Sequence, residues 1–89
     1  MRSEHAIAFT TLRDAYFSAA AQSPALLKAL EKAAYDLIGG AHGTAADARE
    51  EATVDALVGR LGWVEAAARL VHFDGDVEAA YQSTLRPAA

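Results

Sequence analysis

The sequence contains no cysteine, and this absence excludes several kinds of chemistry. Disulfide bonds, thiolate nucleophiles and cysteine-ligated zinc or iron–sulfur centres all require a thiol. A chain without disulfides shows no sign of an oxidising compartment, so we expect a cytoplasmic location. No apolar run approaches the roughly 18–20 residues that span a bilayer, so we expect no membrane partner.

Positive charge is also scarce in this chain. Eight basic and twelve acidic side chains give a formal net charge of −4. Residues 1–44 carry four charges of each sign, whereas residues 45–89 carry four basic and eight acidic side chains. Because binding to a phosphate backbone normally begins with a basic stripe, we expect no nucleic-acid partner.

Recognisable motifs for catalysis and metal binding are missing as well. The histidines, His5, His42 and His72, lack the i,i+4 pairing of a metal site on one helix. The acids of residues 74–78 have the first spacings of a calcium loop without its bidentate Glu at the twelfth position, and helix capping explains them. The glycine-rich residues 39–43 lack the lysine of a phosphate loop. We therefore predict a protein that is not an enzyme, with no catalytic residue, no cofactor and no metal.

Alanine is the residue that the chain has in abundance, at 23 of 89 positions. Ala has the highest helix propensity and loses no side-chain entropy on folding. No alternating run of β-branched residues predicts a strand. The sequence therefore predicts one all-α domain over residues 1–89, a small bundle of four to five short helices.

Capping signals and breakers predict where these helices lie. Ser23-Pro24 is a start signal, in which a capping hydroxyl precedes a proline at the first helical position. Residues 39–44 form a glycine-rich connector, and Thr44 with Asp47 resembles a capping box that opens the next helix. Pro87 closes the helical part. We predict helices at about residues 3–21, 24–38, 45–60, 63–72 and 77–86.

The first two helices form a hairpin with many large apolar side chains for one small core. These side chains are Phe9, Phe17, Leu26, Leu30, Leu37 and Ile38. Apolar surface that the core does not bury favours self-association, so the sequence predicts a homodimer with close helix contacts at alanine.

The second half of the chain carries two short motifs at a defined spacing. Leu61-Gly62-Trp63 ends one predicted helix, and Gly75-Asp76-Val77-Glu78-Ala79-Ala80 opens the last. With Leu70 between them, residues 46–86 resemble a UBA-like (ubiquitin-associated) three-helix module, similar to the N-terminal domain of elongation factor Ts. That family typically has Met-Gly-Phe at the first motif and Gly-Asn/Asp-Val/Ile-Glu-x-Ala at the second. Residues 1–44 have no counterpart in it.

The resemblance implies a small apolar docking face for another protein. It implies that Leu61, Gly62 and Trp63 in the loop and Thr84 and Leu85 at the end of the last helix form this face. Thr84 departs from the paired leucines common in the family, which argues against ubiquitin itself as the partner. Trp63 has two interpretations, an interface anchor or, more typically for a lone large aromatic residue in a small domain, a core residue.

We therefore predict a non-catalytic protein–protein interaction module, a small acidic helical adaptor. One alternative is an accessory or ligand-binding subunit of a larger enzyme, with a pocket between helices near Tyr16, Tyr35, His72 and Tyr81. Another alternative is a small acidic inhibitor or antitoxin-type protein that occludes a basic site on its target through residues 45–89.

Overall fold

The fold is all-α, as the alanine content and the helix caps of the sequence predict. The computed structural model describes residues 3–19 and 23–85, and within them it contains five helices and no strand. The helices are α1 (Ser3–Ser18), α2 (Pro24–Gly43), α3 (Ala48–Leu61), α4 (Trp63–His72) and α5 (Val77–Ser83). The predicted helix ends at Ala21 and Arg86 and the closing Pro87 lie outside the described residues.

Side-chain caps determine two of the helix starts as the sequence predicts. Ser23 Oγ accepts a hydrogen bond from the Leu26 N–H at 3.3 Å, and Pro24 is the first residue of α2. Asp76 Oδ1 accepts from the Ala79 N–H at 3.0 Å at the start of α5. Each bond satisfies a backbone N–H that has no partner inside its helix, which stabilises the end of the helix.

The predicted connector at residues 39–44 is wrong, because α2 continues without a break to Gly43. The additional turn is held by packing. Ala41 is buried, so it extends the buried stripe of the helix beyond its predicted end. Gly40 lies against α1, where an added Cβ would come within 3.0 Å of His5 Nδ1. Burial and this close approach outweigh the cost of about 1 kcal/mol for a glycine inside a helix.

The capping box predicted for Thr44 and Asp47 is also wrong. The Thr44 hydroxyl donates to the Gly40 carbonyl at 2.9 Å and thereby caps the end of α2. Asp47 is itself the N-cap of α3 and accepts from the Glu50 N–H at 2.9 Å. The Glu50 carboxylate accepts in turn from the Ala46 N–H at 3.4 Å. The helix therefore begins later than predicted, with Asp47 and Glu50 as the capping pair.

α2 packs against α1, α3 and α4, and α4 contacts each of the other four helices. α5 packs against α3 and α4 and completes the bundle. The buried side chains are Phe9, Leu30, Ala34, Leu37, Ile38, Ala41, Val54, Leu57, Ala66, Ala67, Leu70, Val77 and Ala80. Over residues 3–19 and 23–85 no polar or charged residue belongs to the buried class. The alanines among the larger side chains allow the helices to approach closely.

This core buries most of the side chains from which the homodimer was predicted. Of the six, four are fully or almost fully buried, and Phe17 alone is largely exposed, at 64%. Outside these six, Ile7 on α1 and Tyr35 on α2 are also exposed, at 66% and 60%, so some apolar surface of the first two helices remains open to solvent. The homodimer stays a prediction.

α3, α4 and α5 contact one another and form a three-helix half. α3 ends at Leu61 and α4 begins at Trp63, as predicted. Arg69 Nη1 on α4 donates to Ser83 Oγ on α5 at 2.9 Å. Within the described part of the chain, no helix has the length and apolar character needed to cross a membrane.

Candidate functional site

Two aromatic side chains meet at the surface where α4 packs against α2. The ring centroids of Trp63 and Tyr35 lie 4.4 Å apart, and the ring planes are tilted by 32°. Trp63 is 41% exposed and Tyr35 is 60% exposed. The interpretation of Trp63 as a core residue is therefore wrong. The two rings form a contiguous apolar area that the fold leaves open to solvent.

The position of Trp63 follows from the buried stripe of α4. Helical spacing puts Trp63 on the same face as Ala67 and Leu70, which are both fully buried. Trp63 lies in the first turn of the helix, at the edge of the core, so its ring extends onto α2. Gly62 precedes it with φ of +82°, a left-handed conformation that favours glycine and that turns the chain from α3 into α4.

One face of α2 supplies the rest of this surface. Tyr35, Gly39 and His42 follow one another at i, i+4 and i+7 and so share that face. Gly39 leaves a gap between its two neighbours, because a Cβ added there would meet no atom within 4 Å. The gap and the ring of Trp63 form a depression of about 260 Å³, which we call the aromatic depression. Its lining residues are Tyr35, Ile38, Gly39, His42, Asp55 and Trp63.

The polar side of the aromatic depression consists of an imidazole and a carboxylate. His42 Nε2 lies 3.7 Å from Asp55 Oδ2, and the Asp55 side chain is 72% exposed. This distance is too long for a hydrogen bond, and the two groups form an ion pair only when His42 is protonated. None of the described lining residues is lysine or arginine. The depression therefore combines an aromatic surface with one carboxylate.

The docking residues that the sequence predicts lie at the end of α3, at the start of α4 and just after α5. Leu61 is half-buried against the core, and the ring of Trp63 turns towards α2. The Thr84 carbonyl accepts from Arg60 Nη2 at 3.4 Å, which holds the end of α5 beside the end of α3. Leu85 follows there and is 47% exposed.

Sequence reasoning missed Gly39, His42 and Asp55 as neighbours of Trp63, and it placed Tyr35 in a different predicted pocket. Tyr35, Gly39 and His42 have helical spacing, which is a visible signal in the sequence. That signal is lost once the helix is predicted to stop at residue 38. Asp55 gives no comparable signal, since it reaches the site only because α3 packs beside α2.

The side chains from which a shared pocket was predicted, Tyr16, Tyr35, His72 and Tyr81, lie at different places on the described surface. Tyr35 lines the aromatic depression, His72 lines a second depression shared by α1 and α4, and Tyr81 lines a third shared by α3 and α5. Tyr16 contacts Phe17 edge to face, with ring centroids 5.1 Å apart. The ligand-binding alternative stays a prediction, and the depressions at Tyr35, His72 and Tyr81 each contain only one of its four side chains.

Four of the eight acidic side chains of residues 45–89 line a separate depression between the starts of α3 and α5, together with Arg49. Its lining includes Asp47, Glu50, Asp76 and Glu78, and its volume is about 290 Å³. Asp47 and Asp76 are engaged there as helix caps. Among residues 3–19 and 23–85, no group of three His, Asp or Glu is placed to hold a metal ion.

Comparisons of the chain with protein-family models, with curated proteins and with solved structures found no match in any of the three. The UBA-like resemblance of residues 46–86 therefore stays a prediction that rests on its own residues.

Proposed function

We propose that this chain is a non-catalytic protein-binding module and that the aromatic depression is its docking surface. The observation that carries the proposal is the pair of Tyr35 and Trp63, which contact each other and remain 60% and 41% exposed. Trp and Tyr are enriched among the residues that dominate interface energies, because they bury a large area with few rotatable bonds. A partner that covers both rings gains this burial on association.

The shape of the aromatic depression favours a protein over a small molecule. Small-molecule sites enclose most of their ligand, whereas this surface is open and is shared by α2, α3 and α4. Helices hold side chains more rigidly than loops do, so the depression is presented ready-formed to a partner. An open, rigid, partly aromatic surface suits a protruding segment of another protein.

The UBA-like resemblance of residues 46–86 supports the same class of function, since that family docks other proteins. The proposed surface shares Trp63 with the predicted docking face but takes Tyr35 and Gly39 from α2, outside the resembling region. The remaining predicted residues, Leu61, Gly62, Thr84 and Leu85, stay a prediction. In the capture experiment described next, loss of the captured protein in Leu85→Ala would include the end of α5 in the docking surface.

Trp63→Ala tests the proposal directly. The tagged chain is used to capture binding proteins from its native host, and the captured proteins are identified by mass spectrometry. We expect Trp63→Ala to lose a protein that the unaltered chain captures, because the substitution removes the larger ring of the docking surface. Phe17→Ala is the matched control, since Phe17 is an exposed aromatic residue on α1, outside the aromatic depression.

Gly39→Leu tests the same surface without removing any contact. Leu has a higher helix propensity than Gly, and the added side chain points into open space, so α2 is retained while the gap is filled. Gly59→Leu makes the same exchange at an open position of α3. We expect Gly39→Leu to abolish capture and Gly59→Leu to preserve it. Capture that persists in both Trp63→Ala and Gly39→Leu, with helix content unchanged by circular dichroism, overturns the proposal.

A further inference from the structure

The aromatic depression is lined by a carboxylate as well as by two exposed aromatic rings. Asp55 lines the same depression as Trp63 and Tyr35, and its side chain is 72% exposed. We infer that the depression receives an arginine or lysine side chain carried on an apolar segment of the partner protein. The inference rests on the docking function proposed above and names the chemistry of the group that docks.

Aromatic faces and a carboxylate attract the same kind of group. The face of an aromatic ring carries partial negative charge, so a guanidinium or ammonium over Trp63 or Tyr35 is stabilised by a cation–π interaction. The Asp55 carboxylate attracts the same cation through its full charge and accepts its hydrogen bonds. A neutral side chain can pack on the rings but gains nothing from the charge of Asp55. An acidic side chain is repelled by that charge.

The apolar part of the depression suits the stem of a long basic side chain. Gly39 leaves open space on α2, and the nearly buried Ile38 lines the same depression. Lys and Arg bury their methylene groups along apolar surface while the charged end reaches a polar group. The gap at Gly39 therefore accommodates the stem, while the charged end reaches Asp55 or a ring face.

The charge of the chain favours a basic ligand at long range as well. The net charge is −4, and residues 45–89 carry eight acidic and four basic side chains. None of the described residues that line the depression is lysine or arginine, so no permanent positive charge within the lining opposes the approach of a cation. Complementary charge of this kind raises the rate of association and excludes acidic partners.

Selection of random peptides displayed on phage tests the inference, with the full chain immobilised and Trp63→Ala used for counter-selection. We expect the enriched peptides to carry Arg or Lys beside a bulky apolar residue. Enriched peptides without a basic residue overturn the inference and leave the docking function intact. Failure to enrich any peptide above the Trp63→Ala background also overturns the inference, and the capture experiment above then decides the docking function independently.

A selected peptide allows the contribution of its charge to be measured. Replacement of its Arg by citrulline keeps the length of the side chain and removes the charge, and replacement of its Lys by norleucine keeps the methylene stem and removes the charged amine. Trp63 is the only tryptophan, so its fluorescence reports binding at the depression. We expect the neutral peptide to bind about fivefold more weakly, as for a cation–π contact supplemented by a carboxylate. Equal affinities of the two peptides overturn the inference.

The protein side of the contact is tested by Asp55→Asn, with Glu78→Gln on α5 as a control that removes the same charge elsewhere. We expect Asp55→Asn to weaken the basic peptide about threefold or more and to leave its neutral counterpart unchanged. Glu78→Gln should weaken the basic peptide less. An equal loss for the basic and the neutral peptide in Asp55→Asn contradicts a role for the Asp55 charge.

Discussion

Phe9 and Phe17 stand on the same helix and differ in burial, so together they test the core at the scale of single residues. Phe9 is fully buried, whereas Phe17 is 64% exposed. We expect Phe9→Ala to lower the free energy of unfolding by about 3–5 kcal/mol, because it removes a buried ring and leaves a cavity. Phe17→Ala should cost less than about 1 kcal/mol, as exposed substitutions usually do.

Urea denaturation followed by circular dichroism measures both variants. The free energy of unfolding of a small domain is about 5–15 kcal/mol, so the loss expected for Phe9→Ala is a large part of the stability. Similar losses in the two variants contradict the described orientation of α1. A small loss in Phe17→Ala also validates that variant as the control in the capture experiment.

At the scale of elements, α2 is longer than the sequence indicates, and its glycines test the reason. Gly39 is helical with open space around it, whereas a Cβ at Gly40 would lie 3.0 Å from His5 Nδ1. We expect Gly39→Ala to raise the free energy of unfolding by about 0.5–1 kcal/mol, because Ala loses less conformational entropy in a helix. Gly40→Ala should raise the free energy of unfolding less than Gly39→Ala does, or lower it, because the imidazole of His5 must move to make room for the added Cβ.

Thermal and urea unfolding of the two glycine variants measure this difference. A flexible connector at residues 39–44 would give both substitutions similar, small effects. Equal stabilities of the two variants therefore contradict the close packing of α1 on the last turns of α2.

At the scale of the whole molecule, α2 joins the N-terminal hairpin to the three-helix half. It packs against α1, α3 and α4, and no described residue of the buried core is polar. We expect the chain to unfold in a single transition, because the loss of α2 exposes the core of both halves. The denaturation midpoint from Trp63 fluorescence should coincide with the midpoint from circular dichroism at 222 nm. Separate midpoints contradict one cooperative unit and indicate that the three-helix half unfolds by itself.

Local interactions explain why most of the helices could be predicted. A cap bond joins residues three apart, as between Ser23 and Leu26 or Asp76 and Ala79, so the sequence contains both partners within one turn. The break at Gly62 is local in the same way. The candidate site could be predicted only in part, through Trp63, because Tyr35 and Asp55 belong to two other helices and meet Trp63 only in the folded chain.

Alanine content, caps and apolar spacing are enough to predict an all-α chain without cysteine chemistry, because each of them acts within a few residues of its position. The continuation of α2 to Gly43 and the exposure of Trp63 beside Tyr35 come instead from the way the helices pack. Both outcomes depend on how much surface one helix buries against another. Helix propensity and the spacing of apolar residues along the chain do not predict how much surface two helices bury against each other.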